Sequence, residues 1–167
     1  MRDRSKTEES SSVTPPAAPS RRTARANVRL VYGLACDVEH EDRMQRVDLP
    51  AAEGGGATGP HPGQLMRASL GACLAMGYRV WGARRGVVID SVEIEITCDY
   101  DVRGQLGFDD AAPVGWQRVS LDIVIVSSAP EPAVRGVVEQ THRTSPMLAN
   151  LSASVERLFS LRIVTPD

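Results

Sequence analysis

The sequence predicts an α+β domain in which helices cover one face of a mostly antiparallel sheet. Several short stretches alternate apolar with polar residues, which is typical of half-buried strands. One long stretch near the middle carries apolar residues at helical spacing. The predicted order is three strands, one helix, two strands, two helices and a final strand.

Size and composition fit one domain with a tail. The chain has 167 residues and a net charge of −2 at pH 7, so we expect no general affinity for nucleic acid or for membranes. It contains no apolar run long enough to cross a bilayer. The three cysteines, Cys36, Cys73 and Cys98, lack the spacing of a disulfide framework. They indicate reduced thiols, and we expect a cytoplasmic protein.

The first 26 residues are predicted to be a disordered basic tail, and the folded domain is predicted over residues 27–167. The tail is rich in Ser and Pro and carries six basic and three acidic residues. It has almost no large apolar side chain that could offset the entropy of ordering. It also lacks the apolar centre of a signal peptide. A solvated extension is favoured over a segment that binds an acidic partner.

Three short strands and a loop are predicted before the long helix. The stretch NVRLVYG, from Asn27, alternates as a half-buried strand, and LACDVE and RMQRVDL continue as short strands. The loop PAAEGGGATGPHPG, residues 50–63, holds too many Gly and Pro residues for regular structure. It lacks the GK[ST] ending of a phosphate-binding loop.

A long helix is predicted from about Gln64 to Arg85, with Gly86 as its C-terminal cap. Its apolar and small residues form two stripes. One stripe holds Leu65, Ser69, Ala72, Cys73, Met76 and Val80, and the other holds Met66, Leu70, Leu74, Gly77 and Trp81. A helix that is apolar on two sides is buried on two sides, so we expect a second subunit as the additional packing partner.

The second half of the chain is predicted to contain two further strands, two helices and a last strand. DSVEIEITCDYDV and WQRVSLDIVIVSS alternate as strands, and RGQLGFDDAAPVG connects them. EPAVRGVVEQTHRT is an amphipathic helix, and SPMLANLSAS opens a short helix with Ser145 as N-cap and Pro146 at its first position. VERLFSLRIV forms the final strand.

The segment that leads into the long helix resembles the OsmC/Ohr family of osmotically induced and organic-hydroperoxide-resistance proteins. The family joins a D-x-P…GG…GP-x-P-x-x-L segment to an A-C-x-x-M helix and later opens a helix with C-P. The resembling residues here are DLPAAEGGGATGPHPGQLMRASLGACLAMGYRVWGARRG (residues 48–86), DSVEIEI and THRTSPMLANL (residues 141–151).

This resemblance implies an intertwined homodimer whose two long helices are buried between sheets. It also implies reduction of organic hydroperoxides by a thiolate at the helix cysteine, here Cys73, in oxidative-stress defence and without a cofactor. In the family a second cysteine resolves the sulfenic acid as a disulfide, which dithiols such as lipoyl groups then reduce.

Three positions depart from the family pattern. Ser145 occupies the position of the resolving cysteine. In the family, a Glu and an Arg beside the first cysteine activate it, and Gly63 occupies the position of that Glu. The position of the activating Arg falls near Glu53. The sequence therefore resembles a divergent OsmC-like branch without a resolving cysteine, so a sulfenic acid at Cys73 needs an external thiol or dithiol as reductant.

Apolar surroundings disfavour a thiolate at Cys73 unless a cation compensates. His61, Arg67 and Arg79 are the candidates for activation. Both arginines lie six residues from Cys73, about 240° beyond a full turn, so they point elsewhere in the same helix but could reach the Cys73 of a partner subunit. The alternative stays open that Cys73 is a packed core thiol in a non-catalytic dimer that binds a small apolar ligand or serves as a scaffold.

No metal site is predicted. His40, His61 and His142 are spread along the chain without ligand spacing. A surface turn explains His40 and Cys36 better than coordination does.

Overall fold

A computed structural model describes residues 20–166 of the chain. These residues fall into two compact units, residues 20–68 and residues 69–166, and the division lies within the long helix. Most of the predicted tail lies outside the described residues. Residues 20–26 are exposed and have no regular secondary structure. The predicted start of the domain at residue 27 coincides with the first strand, and the extent of that domain stays a prediction.

The first unit contains an antiparallel sheet of three consecutive strands. These are β1 (Asn27–Tyr32), β2 (Ala35–His40) and β3 (Arg43–Val47), in the order β1-β2-β3. All six residues of β1 are exposed, whereas its alternation predicts a half-buried strand. Alternation determines which side chains share a face, but it does not provide a layer of residues to cover that face.

The loop between β3 and the long helix is organised around the buried carboxylate of Asp48. Its Oδ1 accepts a hydrogen bond from Leu49 N at 2.8 Å. Its Oδ2 accepts from Gly56 N at 3.1 Å, and from Thr58 N and Oγ1 at 3.1 and 2.7 Å. Donation by the Thr58 hydroxyl, together with these backbone N–H groups, holds the pKa of Asp48 below its usual value. The hydrogen bonds to Asp48 thus hold this loop in one conformation, although it contains no strand and no long helix.

The second unit contains a three-stranded sheet in the order β4-β5-β6. β4 pairs antiparallel with β5, as the alternating patterns predict, but β6 pairs parallel with β5. The chain passes through two helices between β5 and β6, which returns it in the same direction. The elements are α1 (Pro62–Arg85), β4 (Ser91–Tyr100), α2 (Val102–Gln105), β5 (Trp116–Val126), α3 (Glu131–Thr144), α4 (Pro146–Ala149) and β6 (Glu156–Val164).

The predicted α+β class is confirmed, and most predicted elements lie where the sequence places them. α3 has the predicted bounds, and α1 begins two residues before the predicted start. The four-residue helix α2 and a 3-10 helix at Ala51–Glu53 are exceptions, because both lie in stretches predicted to be loops. Asp101 caps α2 by accepting a hydrogen bond from Arg103 N at 2.9 Å.

The core of the second unit lies between the sheet and the helices α1 and α3. The predicted inward face of β5 is buried: Val119, Leu121, Ile123 and Ile125. The buried stripe of α1 is Leu70, Leu74, Tyr78 and Gly82, with a strict spacing of four residues. Met66 and Met76, which the sequence assigns to two apolar stripes, are 45% and 63% exposed. Within a single chain, α1 is therefore buried along one stripe.

Candidate active site

Cys73 lies near the middle of α1, directly before the buried Leu74. Cys73 is partly buried, and neither it nor Cys36 on β2 nor Cys98 on β4 forms a disulfide. This position gives the sulfur a fixed helical backbone, and the residue keeps part of its surface exposed to solvent. A nucleophilic thiol needs both features.

Ser145 lies at the junction of α3 and α4 because the following residue is proline. A proline disfavours helical backbone angles at the residue before it, and Ser145 is extended, with φ −72° and ψ 116°. α3 therefore ends at Thr144, and Pro146 begins α4. The bend leaves Ser145 only 5% exposed.

The Cys73 sulfur and the Ser145 hydroxyl are in contact. The distance from Sγ to Oγ is 3.5 Å, between residues 72 positions apart in the chain. The same hydroxyl accepts a hydrogen bond from Leu148 N at 3.2 Å, which confirms the predicted N-cap. The position that resembles the family's resolving cysteine thus places an oxygen, rather than a sulfur, beside the candidate nucleophile.

Close packing of α1 against α3 brings Cys73 and Ser145 together. A Cβ added at Gly77, one turn after Cys73, would overlap with Thr141 Cγ2, so a side chain at this position does not fit without movement. Further along α1, Trp81 Nε1 donates to Thr144 Oγ1 at 3.0 Å. Both contacts lie after Cys73 on α1 and before Ser145 on α3, and they hold the two helices close together there.

The buried Tyr78 and the partly buried His142 also join the two helices. The hydroxyl of Tyr78 lies 2.7 Å from His142 Nε2, and the His142 ring lies 4.5 Å from the ring of Phe159. Burial raises the pKa of Tyr78 and lowers the pKa of His142. Both groups are therefore neutral near pH 7. Tyr78 belongs to neither of the two predicted stripes, although its four-residue spacing from Leu74 could have revealed it.

The structure gives other partners to two of the predicted activating residues. His61 Nδ1 accepts a hydrogen bond from Gly63 N at 2.9 Å, and His61 Nε2 lies 3.7 Å from a Glu53 carboxylate oxygen. Arg79 donates to the backbone oxygen of Asp90 at 3.0 Å. Arg67 is partly buried on α1. A role for these three residues in activating Cys73 stays a prediction.

A sequence model of the family described as OsmC-like protein matches residues 54–157. This match covers more than half of the chain and includes both Cys73 and Ser145. The chain belongs to the OsmC-like family. No curated protein gives a significant sequence match.

Solved structures share the fold of this OsmC-like protein at low sequence identity. An OsmC-like protein from Mycoplasma pneumoniae has a TM-score of 0.74 at 14% identity, over 87% of this chain and 99% of its own. An organic hydroperoxide resistance protein OsmC from Legionella pneumophila has a TM-score of 0.64 at 19% identity, over 86% and 98%. The organic hydroperoxide resistance protein OhrB of Bacillus subtilis has a TM-score of 0.57 at 20% identity, over 84% and 98%.

Over residues 20–166, no three His, Cys, Asp or Glu side chains are grouped so that they could hold a metal ion. No helix in the same range has the length and apolar character needed to span a membrane.

Proposed function

We propose that this OsmC-like protein reduces organic hydroperoxides through Cys73 by a one-cysteine mechanism, as part of oxidative-stress defence. The observation that carries the proposal is the contact between Cys73 Sγ and Ser145 Oγ, 3.5 Å apart on the family's central helix and its later helix start. Neighbours in fold that are described as organic hydroperoxide resistance proteins support this reaction class.

In the proposed reaction the Cys73 thiolate attacks one oxygen of the peroxide. The O–O bond breaks, the sulfur gains an oxygen as a sulfenic acid, and the alkoxide leaves and takes a proton to become the alcohol. An external thiol then attacks the sulfenic sulfur, which releases water and forms a mixed disulfide. A second thiol, or the second sulfur of a dithiol, attacks this disulfide and restores the Cys73 thiolate.

The serine at the resolving position supports a requirement for an external reductant. Ser145 occupies the resolving position and cannot form a disulfide. Cys36 and Cys98 lie on strands β2 and β4 rather than at the start of α4. The reductant is therefore proposed to enter from solution, as a monothiol or a dithiol.

The test is chemical trapping on the purified, reduced protein. A small excess of cumene hydroperoxide is added together with a sulfenic-acid trap, and the peptide Ala68–Arg79, which contains Cys73 as its only cysteine, is read by mass spectrometry. We expect stoichiometric labelling of this peptide. C73S is expected to give none, with Cys36 and Cys98 unlabelled.

An unlabelled Cys73 would contradict the proposal. Slow oxidation spread over Cys36 and Cys98 would then identify Cys73 as a packed thiol. The alternative, a non-catalytic member that binds a small apolar ligand, would gain support from stoichiometric ligand binding that C73A leaves intact.

We also propose that the protein is a homodimer. A second copy would cover apolar side chains that are exposed in the single chain. On β1, Val28 is 65% and Leu30 is 63% exposed, and on α1 Met76 is 63% exposed. Light scattering at micromolar concentration is expected to give twice the mass of the chain. A monomeric mass would refute this proposal without affecting the one on Cys73.

A further inference from the structure

We propose that Ser145 is a catalytic residue, whose hydroxyl donates a hydrogen bond to the Cys73 thiolate. This inference rests on the proposed function and extends it, because the serine is then more than an inert replacement for a resolving cysteine. The contact of Oγ with the reacting sulfur at 3.5 Å is within reach of a hydrogen bond to sulfur.

The direction of the hydrogen bond follows from the other contact of the same hydroxyl. A serine hydroxyl has one proton to donate and two lone pairs to accept with. Leu148 N has only a proton to offer, so Ser145 Oγ must be the acceptor in that bond, at 3.2 Å. The hydroxyl proton remains available, and a thiolate is an acceptor only. The Ser145 proton is therefore directed at Cys73 Sγ.

The burial of Ser145 strengthens this hydrogen bond. Ser145 is among the buried polar residues of the chain, so water does not easily replace the hydroxyl beside the sulfur. Hydrogen bonds to a charged group are stronger than those between neutral groups. A hydrogen bond from Ser145 is therefore stronger to a thiolate than to a neutral thiol.

Three charged or titratable side chains of α1 and α3 have partners other than Cys73. His142, one turn before Ser145 on α3, contacts Tyr78 and is held neutral by burial. Arg143 donates to Gln140, and Arg79 donates to the backbone of Asp90. The Ser145 hydroxyl, in contrast, is in contact with Cys73 Sγ at 3.5 Å.

The test is the pH profile of Cys73 alkylation, read on the peptide Ala68–Arg79 of the full-length protein. In S145A we expect the midpoint of thiolate formation to move about one unit to higher pH. Because a more basic thiolate is a better nucleophile, the variant should react about threefold more slowly below the midpoint and about threefold faster above it. A general loss of structure does not produce such a crossing of the two profiles.

Three variants separate this role from capping of α4. S145A and S145G both remove the hydroxyl, but glycine is tolerated at an N-cap far better than alanine. The two should therefore share the shifted profile and differ in stability. S145T keeps a hydroxyl that can both cap and donate, and it should keep the wild-type profile.

Unshifted profiles in both S145A and S145G would overturn the inference and leave Ser145 as a cap only. The proposed function has a separate readout, the trapping by cumene hydroperoxide in the wild type. If the alkylation profile shifts in S145A but cumene hydroperoxide leaves wild-type Cys73 untrapped, the hydrogen bond is supported and the peroxidase proposal fails. If wild-type Cys73 is trapped but the profile of S145A does not shift, the peroxidase proposal is supported and the hydrogen bond is not.

Discussion

The variant S145C is expected to form an intramolecular disulfide between Cys73 and the introduced thiol after one equivalent of cumene hydroperoxide. In the wild type, Sγ and Oγ at these positions are 3.5 Å apart, so rotation of two side chains can bring two sulfurs within bonding distance. The introduced thiol attacks the sulfenic sulfur of Cys73 and releases water. The product is read as a loss of two hydrogens in intact mass.

The disulfide should also stabilise the protein strongly. It closes a loop between residues 72 positions apart, which in the chain-entropy account corresponds to about 4 kcal/mol. For a chain of this size that difference corresponds to a rise in Tm of about 10 °C between the reduced and oxidised forms of S145C. Thermal unfolding followed by circular dichroism, with and without reductant, measures it.

The controls assign the bond to these two residues. S145C combined with C73S should form no disulfide, and S145C combined with C98S should behave as S145C alone. In the wild type, Cys73 should instead be labelled by a sulfenic-acid trap or, without the trap, be over-oxidised. An S145C protein in which Cys73 over-oxidises while the introduced thiol stays free would show that the two side chains do not meet as the structure describes.

Local patterns were sufficient to predict the elements around this site. Alternation identified the inward face of β5, and the sequence SP at residues 145–146 predicted a cap that Ser145 makes to Leu148 N. Both features depend on residues within a few positions of one another. Periodicity and capping are therefore reliable guides to which residues start, end or line an element.

Features that depend on distant partners could not be derived in this way. Nothing in the final strand shows that it pairs parallel with β5, because that depends on the path through α3 and α4. The contact of Cys73 with Ser145 joins residues 72 positions apart, and only the family resemblance pointed to both. The exposure of β1 likewise depends on which elements cover it, and its own sequence does not contain that information.

Replacement of Gly77 is expected to loosen the packing that brings Cys73 to Ser145. In G77A the added methyl would overlap with Thr141 Cγ2, and Thr141 is buried and held by a bond from its Oγ1 to Val137 O at 2.9 Å. Overpacking of this kind costs about 1 to 3 kcal/mol. That exceeds the gain of up to about 1 kcal/mol from replacing a helical glycine by alanine. Urea unfolding should therefore give a lower midpoint for G77A.

Gly71 on the same helix provides a matched control. A methyl added there meets Ile96 Cδ1 at 3.1 Å, and this atom is the flexible end of a long side chain. G71A should therefore cost less than G77A, although both variants make the same change in helix propensity. Equal losses in G71A and G77A would contradict a specific clash with α3 at Gly77.

In a T141S background, the effect of G77A on the free energy of unfolding should change sign. T141S removes Cγ2 and keeps the hydroxyl, and the next nearest atom to the added methyl is then the Cβ of residue 141, at an ordinary contact distance of 3.6 Å. In this background G77A fills the space that the lost methyl leaves and gains the helix propensity of alanine, so it should stabilise the protein. The double-mutant cycle should give a coupling of about 2 kcal/mol. A coupling near zero would mean that α1 and α3 do not touch at Gly77, and the approach of Cys73 to Ser145 would then lack the packing that supports it.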